Sequence, residues 1–293
     1  MSLRIAYISD ERFPSIHTDT QQVVKTIDAL GRSGVHVDLI QPRMMRHLTA
    51  SRDEVKRQIC EFYNVEGHFH LRDLLLWPAS DMRIEKFFHG LAAPLKGLSG
   101  NYDVFYTRNV LPLAMATFLR LPVLFETYRA LPHTDPAAWR VVKRMAAARS
   151  FVGISTHSAY SRGVMMDAGI PADRIEAIPN GFDPGDFADL PDQVEARRLL
   201  NLSGADRIAV YTGHIRRDKG VHSLLDMAEE YPDMLMLIVG GNPKETAALQ
   251  ATVDDRRLRN VRLTGQVPIS KVPLYLAAAD VLVLPPSALP LTH

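Results

Sequence analysis

The stretch that most constrains this chain runs from Arg207 to Glu230. Arg207-Ile208-Ala209-Val210 opens an apolar run that ends at Tyr211, and the polar segment after it holds Gly213 and Gly220. Val221 to Glu230 then has helical spacing, with Val221, Leu224, Leu225 and Ala228 on one face. Strand, glycine-containing loop and helix in that order form the repeating unit of an open α/β sheet. The loop of such a unit lies at the carboxyl edge, where ligands bind, and the helix start offers unpaired N–H groups to an anion. Lys219 adds a compact positive charge, with Arg216 and Arg217 beside it. The pattern predicts a site for a diphosphate-bearing ligand, although a turn of this kind is also an ordinary connection in any doubly wound fold.

Two further stretches narrow the reading. Ile178-Pro179-Asn180-Gly181-Phe182-Asp183 closes an apolar block with turn residues, and Ala277-Ala278-Ala279-Asp280-Val281-Leu282-Val283-Leu284-Pro285-Pro286-Ser287 leads into a buried strand ended by proline. In this order with the Gly213–Gly220 loop, the three resemble the second half of family 4 glycosyltransferases, retaining enzymes of GT-B fold. The resemblance implies an α/β architecture of two Rossmann-like doubly wound domains facing a cleft, the second incomplete here. It also implies a nucleotide-sugar donor, UDP- or GDP-linked, a retained anomeric configuration and no required metal or other cofactor. Donor-binding candidates are Gly213, His214, Arg216 and Lys219 of the loop, Asn180 of the preceding motif, the Gly240-Gly241 pair, which at a strand's carboxyl end lets a ligand come near the backbone, and Gln266 and Val267, which in relatives lie in a loop that touches the base and are otherwise ordinary loop residues. Relatives often place an arginine directly after the first loop glycine. His214 stands there in this chain, which leaves Lys219 as the stronger expectation.

Size and charge agree with an enzyme of two ordinary domains. The 293 residues are 46% hydrophobic and 23% charged, with a formal net charge of +1. That balance argues against a general nucleic-acid binder, which carries a clear basic excess. Cys60 is the only cysteine, so neither an intrachain disulfide nor a thiolate metal cage can form, and a reducing cytoplasm fits best. No apolar run reaches the length of a membrane span, and the opening Leu3 to Ile8 run reads as a buried first strand rather than a signal peptide.

The first half begins with a β-α-β unit: strand Leu3 to Ile8, helix Gln21 to Leu30 with Val23, Val24, Ile27 and Leu30 facing the sheet, and strand Val35 to Ile40. Thr18 or Asp19 is placed as the helix N-cap. In family 4 enzymes the intervening loop usually carries two adjacent glycines, and by spacing these fall on His17 and Thr18. Side chains therefore stand where close backbone approach is expected, and His17 reads either as a contact to acceptor or phosphate or as plain surface.

The sequence from Gln41 to Leu98 is the least legible. Arg43 to Leu48, with Arg52, Lys56 and Arg57, forms a basic stretch that reads as a solvated helix face or as a peripheral contact to a membrane or lipid-linked acceptor. Leu71 to Trp77 and Met82 to Leu95 read as helical or loop pieces. A clearer pattern follows: strand to Tyr106, helix Val110 to Leu119, strand Val123 to Phe125, then Glu126-Thr127-Tyr128 just past it. Relatives commonly show an acidic residue, a spacer and a histidine there. Glu126 reads as orienting an acceptor hydroxyl or as capping a helix, and Tyr128 can donate a hydrogen bond but cannot be a cation at neutral pH. Glu126, Tyr128 and His17 are the candidate catalytic residues, and Arg108 on the same edge either meets an acceptor anion or pairs with Glu126. Helix Ala137 to Arg149, strand Phe151 to Ile154, helix Ser155 to Ala168 and a last strand framed by Ile175 and Ile178 complete this half.

The boundary is placed after Pro179-Asn180-Gly181, giving an acceptor-binding domain over 1–185 and a nucleotide-sugar-binding domain over 186–293. The second half then reads as strand Ile208 to Tyr211, helix Val221 to Glu230, strand Met234 to Val239, the Gly240-Gly241 pair, helix Lys244 to Val253, strand Val261 to Leu263, helix Ser270 to Ala279 and a central strand Val281 to Leu284. The resemblance implies that a complete member continues beyond His293 into a glutamate-rich segment that grips the donor. The expected activity is sugar transfer from a nucleotide-diphosphate-sugar to a glycan or lipid-linked acceptor, as in polysaccharide biosynthesis. The alternative is a catalytically impaired fragment or a non-catalytic nucleotide-sugar-binding subunit. An epimerase of the same two-domain shape needs an acidic pair on helices that this sequence does not show.

Overall fold

The computed structural model describes residues 2–15, 17–44, 47–74, 84–202 and 207–285. They form two compact units, Met1–Gly181 and Phe182–His293. The last positions of the Ala277–Ser287 motif and residues 75–83 lie outside the described residues.

Unit 1 runs β1 (Arg4–Ile8), α1 (Thr18–Arg32), β2 (His36–Pro42), α2 (Arg52–Tyr63), β3 (His70–Leu74), α3 (Ile84–Gly97), β4 (Val104–Thr107), α4 (Val110–Phe118), β5 (Val123–Thr127), α5 (Leu131–Thr134), α6 (Pro136–Ala146), β6 (Phe151–Thr156), α7 (Ala159–Asp167) and β7 (Ile175–Ala177). Its seven strands lie in the order β3-β2-β1-β4-β5-β6-β7, and every neighbouring pair is parallel. Parallel strands need helical crossovers, which cover both faces and force the strands to be apolar throughout. Ile5, Ala6, Tyr7 and Ile8 are accordingly all buried. Val23, Val24 and Ile27 bury one stripe of α1, as the spacing predicts. A second layer gathers Leu113 and Ala116 of α4, Trp139 and Val142 of α6 and Met165 of α7 against Phe105, Phe125, Phe151 and Ile154 of the sheet. Full burial of each Leu, Val, Ile, Met or Phe side chain among these contributes about 1.5–3 kcal/mol.

Several expectations are corrected here. The N-cap of α1 is His17, not Thr18 or Asp19, and its side chain makes no cap; its carbonyl instead accepts from Thr20 and Gln21 N–H and from the Thr20 hydroxyl. His70 to Leu74 is a strand rather than a helical or loop piece. Its polar residues are tolerated because the neighbouring strand answers them: Gln41 Nε2 donates to Asp73 at 3.1 Å and Arg72 pairs with Asp38 at 2.6 Å. β5 continues through Thr127, so Glu126 is a strand residue and caps no helix. β6 likewise runs on to Thr156, and α7 starts only at Ala159, capped by Ser158 Oγ accepting from Ser161 N–H.

Unit 2 contains α8 (Gln193–Leu199), β8 (Arg207–Thr212), α9 (His222–Glu230), β9 (Met234–Val239), α10 (Pro243–Asp255), β10 (Val261–Gly265), α11 (Val272–Ala278) and β11 (Val281–Leu282). The parallel sheet has the order β10-β9-β8-β11. Alternate residues of β8 and β9 serve opposite layers. Tyr211 and Ile238 pack with Val221, Leu224, Leu225, Leu249 and Val253 of the α9–α10 side, while Ile208, Val210, Leu237 and Val239 pack with Ala196, Leu202 and Ala278 of the α8–α11 side. α8 is a helix the sequence reading did not place; Asp192 caps it by accepting from Glu195 N–H. The sequence reading expects β11 in the centre of the sheet. Among the described residues it is at the sheet edge, with Val281 46% and Leu282 45% exposed. The aspartate before it braces the unit. Asp280 Oδ2 accepts from Ile208 N–H at 2.7 Å and pairs with Arg197 at 2.7 Å, tying α8 to the start of β8.

Candidate functional site

In unit 2 the loops after β8, β9 and β10 are stitched together at the carboxyl edge. Gly213 N–H donates to the Val239 carbonyl and Gly240 N–H to the Gly265 carbonyl, both at 2.9 Å. Gly240 has φ 120°, and a β-carbon there would come within 2.2 Å of the Gly213 carbonyl oxygen. The close approach expected of the Gly240-Gly241 pair is thus made first by protein: Gly240 lies against Gly213 and Gly241 against the Ile215 side chain.

The β8–α9 loop carries a short 3-10 turn over Arg217–Lys219. Lys219 is exposed, and among the described residues its ammonium makes no hydrogen bond or ion pair. Arg216 differs: its Nε donates to Asp218 Oδ1 at 2.8 Å and its Nη2 to Oδ2 at 2.5 Å. These bonds, against a smaller opposing cost of burial, hold the Asp218 carboxyl below the usual range. The start of α9 has no side-chain cap, with Val221 at the cap position. By contrast the start of α10 is closed by its own capping box, Asn242 and Glu245 each accepting the other's backbone N–H at 2.9 Å.

His214 Nδ1 lies 3.9 Å from Glu245 Oε2, and its carbonyl accepts the Tyr211 hydroxyl at 2.8 Å. Burial, with Asp218 and Glu245 nearby, pushes that hydroxyl up to about 12, so it remains a donor. Gln266 is exposed, whereas Val267 packs partly buried against the α8–α11 layer. Asn180 is exposed and belongs to unit 1.

In unit 1 a polar layer is buried at the carboxyl ends of the strands: Ser9, Thr107, Glu126, Thr127, Ser155 and Thr156. Above it lies a pocket of about 190 Å³ whose wall includes Asp19, Arg108, Asn109, Glu126, Tyr128 and Arg129. Glu126 is 6% exposed and both its oxygens are engaged. Oε1 lies 2.8 Å from His157 Nε2 and 3.6 Å from Arg108 Nε, while Oε2 accepts the Tyr7 hydroxyl at 3.2 Å. Burial alone would raise the Glu126 pKa, but the contact with His157, the Arg108 charge and the nearby Tyr106 hydroxyl together pull it below the ordinary carboxylate range. Tyr7 moves the other way, burial first and the Glu126 charge second raising it well above the usual phenol value.

Arg108 is equally occupied. Besides Glu126 it donates to the Asp19 carbonyl at 3.3 Å and Gln22 Oε1 at 3.0 Å, and its guanidinium lies 5.8 Å from the Tyr128 ring centroid. The structure therefore joins Glu126, Tyr128 and Arg108 in one pocket. His17, exposed at the start of α1, is not part of the pocket wall. His157 is the residue the sequence reading missed. It follows Thr156, whose strand position pairs with Thr127 in the neighbouring strand, so the β5–β6 register sets it beside Glu126. Its Nδ1 is buried and, among the described residues, has no hydrogen-bond partner.

In the basic stretch, whose Met45 and Arg46 lie outside the described residues, Arg43, Lys56 and Arg57 have partners within the fold. Arg43 donates to the carbonyls of His47 and Ala50 and lies 3.6 Å from Asp73, Arg57 pairs with Glu54, and Lys56 lies 5.5 Å from the Phe69 ring centroid. No helix among the described residues is long and apolar enough to cross a membrane, and no described group of three or more His, Cys, Asp or Glu side chains could hold a metal ion.

Two Rossmann-like units with parallel sheets, glycine-lined strand ends and a cationic loop define the GT-B class of fold. Residues 192–289 match the model of the glycosyl transferases group 1 family. The chain is similar to the teichuronic acid biosynthesis glycosyltransferase TuaC of Bacillus subtilis, with 29% identity over 156 residues, 53% of this chain and 37% of the relative. The match thus spans little more than a third of that relative's length. Among solved structures, sucrose-phosphate synthase from Thermosynechococcus elongatus superposes with a TM-score of 0.72 at 19% identity, covering 97% of this chain and 75% of that one. HepE of Anabaena, in complex with UDP and glucose, gives 0.68 at 20% identity, covering 96% and 73%. At these identities the two structures show the shared fold.

Proposed function

We propose that the protein is a glycosyltransferase that moves a sugar from a nucleotide-diphosphate-sugar to a glycan or lipid-linked acceptor with retention of configuration, without a required metal. The observation that carries this reading is the group 1 family match over residues 192–289, which spans the loop where Lys219 stands exposed and, among the described residues, without an ion pair. Negative charge grows on the leaving diphosphate as the glycosidic bond breaks. A fixed ammonium beside it therefore favours the transition state over the ground state. Leaving phosphate serves as the base in this scheme. Glu126 does not, because a carboxylate with both oxygens engaged and a lowered pKa is a poor proton acceptor.

The acceptor is assigned to the unit 1 pocket, where Glu126 holds Arg108 in place beside Tyr128. A UDP-linked donor is the first choice, since the HepE structure of the same fold is a complex with UDP and glucose. The proposal keeps a cytoplasmic location and puts no membrane contact on residues 43–57, whose Arg43, Lys56 and Arg57 have partners within the fold.

A thermal-shift screen of UDP-, GDP- and ADP-sugars tests the reading, since a ligand that binds only the folded chain raises its melting temperature. Stabilisation by one nucleotide class, lost in Lys219→Ala, is the expected result. No stabilisation by any of the three rejects the donor site.

A further inference from the structure

Among the described residues, the wall of the unit 1 pocket holds two opposite charges without an ion pair. Of the carboxylates in its wall, Glu126 is taken by His157 and Arg108, Glu11 pairs with Lys86 at 2.5 Å, and Asp135 Oδ1 caps α6 by accepting from Ala138 N–H. Arg108 spends its donors on Glu126, Asp19 and Gln22. Arg129 and the Asp19 carboxylate remain. Among the described residues neither side chain has a hydrogen bond or ion pair, and they do not pair with each other within the 4.0 Å of an ion pair.

Arg129 is half-buried and sits on the turn that follows β5, where its N–H donates to Thr127 Oγ1 and its carbonyl accepts from Leu131 N–H. The backbone is thereby fixed from both sides while the guanidinium lacks an acceptor. Partial burial of a charge without a partner costs free energy that a ligand anion in the pocket would recover, and the planar fork of arginine matches a carboxylate or phosphate.

Resting on the reading of this pocket as the acceptor site, we propose that the acceptor is an anionic sugar that presents a carboxylate or phosphate to Arg129 while a hydroxyl reaches Asp19. Arg129 is then the residue that sets acceptor specificity. Arg108 cannot take that part without giving up Glu126, and Asp19 supplies a hydrogen-bond acceptor that a neutral hydroxyl can meet without charge repulsion.

The test is titration calorimetry on the whole chain with methyl β-D-glucuronide, glucose 6-phosphate and neutral methyl β-D-glucoside, for the wild type, Arg129→Met and Arg129→Lys. Each titration is repeated in Lys219→Ala so that anion binding at the unit 2 loop is not counted. One of the two charged sugars is expected to bind at least about tenfold more tightly than the glucoside, and which one does so separates a carboxylate from a phosphate acceptor. Arg129→Met should erase that preference without weakening the glucoside, and Arg129→Lys should keep part of it. Equal binding of charged and neutral sugars, a preference that survives Arg129→Met or disappears only in Lys219→Ala, or no binding by any probe overturns the proposal. A parallel UDP titration reads unit 2 alone, so a failure there counts against the donor site and leaves the Arg129 result standing.

Discussion

Gly240 and Gly213 meet backbone to backbone, so closely that a β-carbon on Gly240 would stand 2.2 Å from the Gly213 carbonyl oxygen. Gly34 offers a contrast, since its φ of 86° also favours glycine but nothing lies within 4 Å of the same position. Gly34→Ala should therefore cost only the strain of the left-handed backbone, about 1–2 kcal/mol. Gly240→Ala adds a clash with main chain that cannot swing aside and should cost about 3 kcal/mol or more. Urea unfolding of the two variants, followed by far-UV circular dichroism, checks the order. Equal losses would show that the two loops part easily.

The cations of the β8–α9 loop should contribute unequally. Lys219→Ala is expected to weaken nucleotide-diphosphate binding by about 1.5–3 kcal/mol, the range for hydrogen bonds to charged groups, and to leave stability unchanged. Arg216→Ala should weaken it less, because Asp218 already compensates that guanidinium. Calorimetry with UDP measures both, and a larger loss from Arg216 would reverse the assignment.

Removing the carboxylate from the unit 1 cluster should produce a pH-dependent loss of stability. The Glu126 pKa is lowered in the folded chain, so its contribution is fully present above the ordinary carboxylate range and is lost as the pH falls through that range towards the folded value. Glu126→Gln should cost about 3 kcal/mol at neutral pH, where it strips Arg108 of a buried partner. The gap between wild type and variant should narrow on acidification. Denaturant midpoints taken from pH 7 down to pH 4 would reveal a constant gap if the charge were unimportant.

Asp280 gives a similar test in unit 2. Its pKa is held down chiefly by the Ile208 N–H, with help from the Arg197 charge and the Gln193 amide. Asp280→Asn should loosen α8 first. Hydrogen exchange should quicken at the amides of Ala196 and Leu200 before it quickens in β9, and uniform acceleration would contradict a local tie.

The regular part of the fold was legible wherever packing follows a simple period. Val23, Val24 and Ile27 mark α1, and the Ile208 to Tyr211 run marks β8, because each position answers to a single neighbouring layer. β3 was not legible, since Arg72 and Asp73 find their partners on β2 and no local pattern announces a partner thirty or so residues away. The candidate pocket was half legible for the same reason. Glu126, Tyr128 and Arg108 cluster near strand ends in the sequence, but His157 was concealed by Ser155-Thr156, which reads as a helix cap until the strand register assigns it to β6. Val281 to Leu284 failed in the opposite sense: an apolar run announces burial, while its place in the sheet order leaves Val281 and Leu282 exposed.

The Arg216–Asp218 clasp has a consequence for how the loop would respond to salt. A pyrophosphate arriving there meets the exposed Lys219 ammonium, and to engage the Arg216 guanidinium it must displace a resident carboxylate, exchanging one anion for another. At the guanidinium such an exchange leaves the local charge count nearly constant, so that contact should respond to ionic strength more gently than the contact to Lys219.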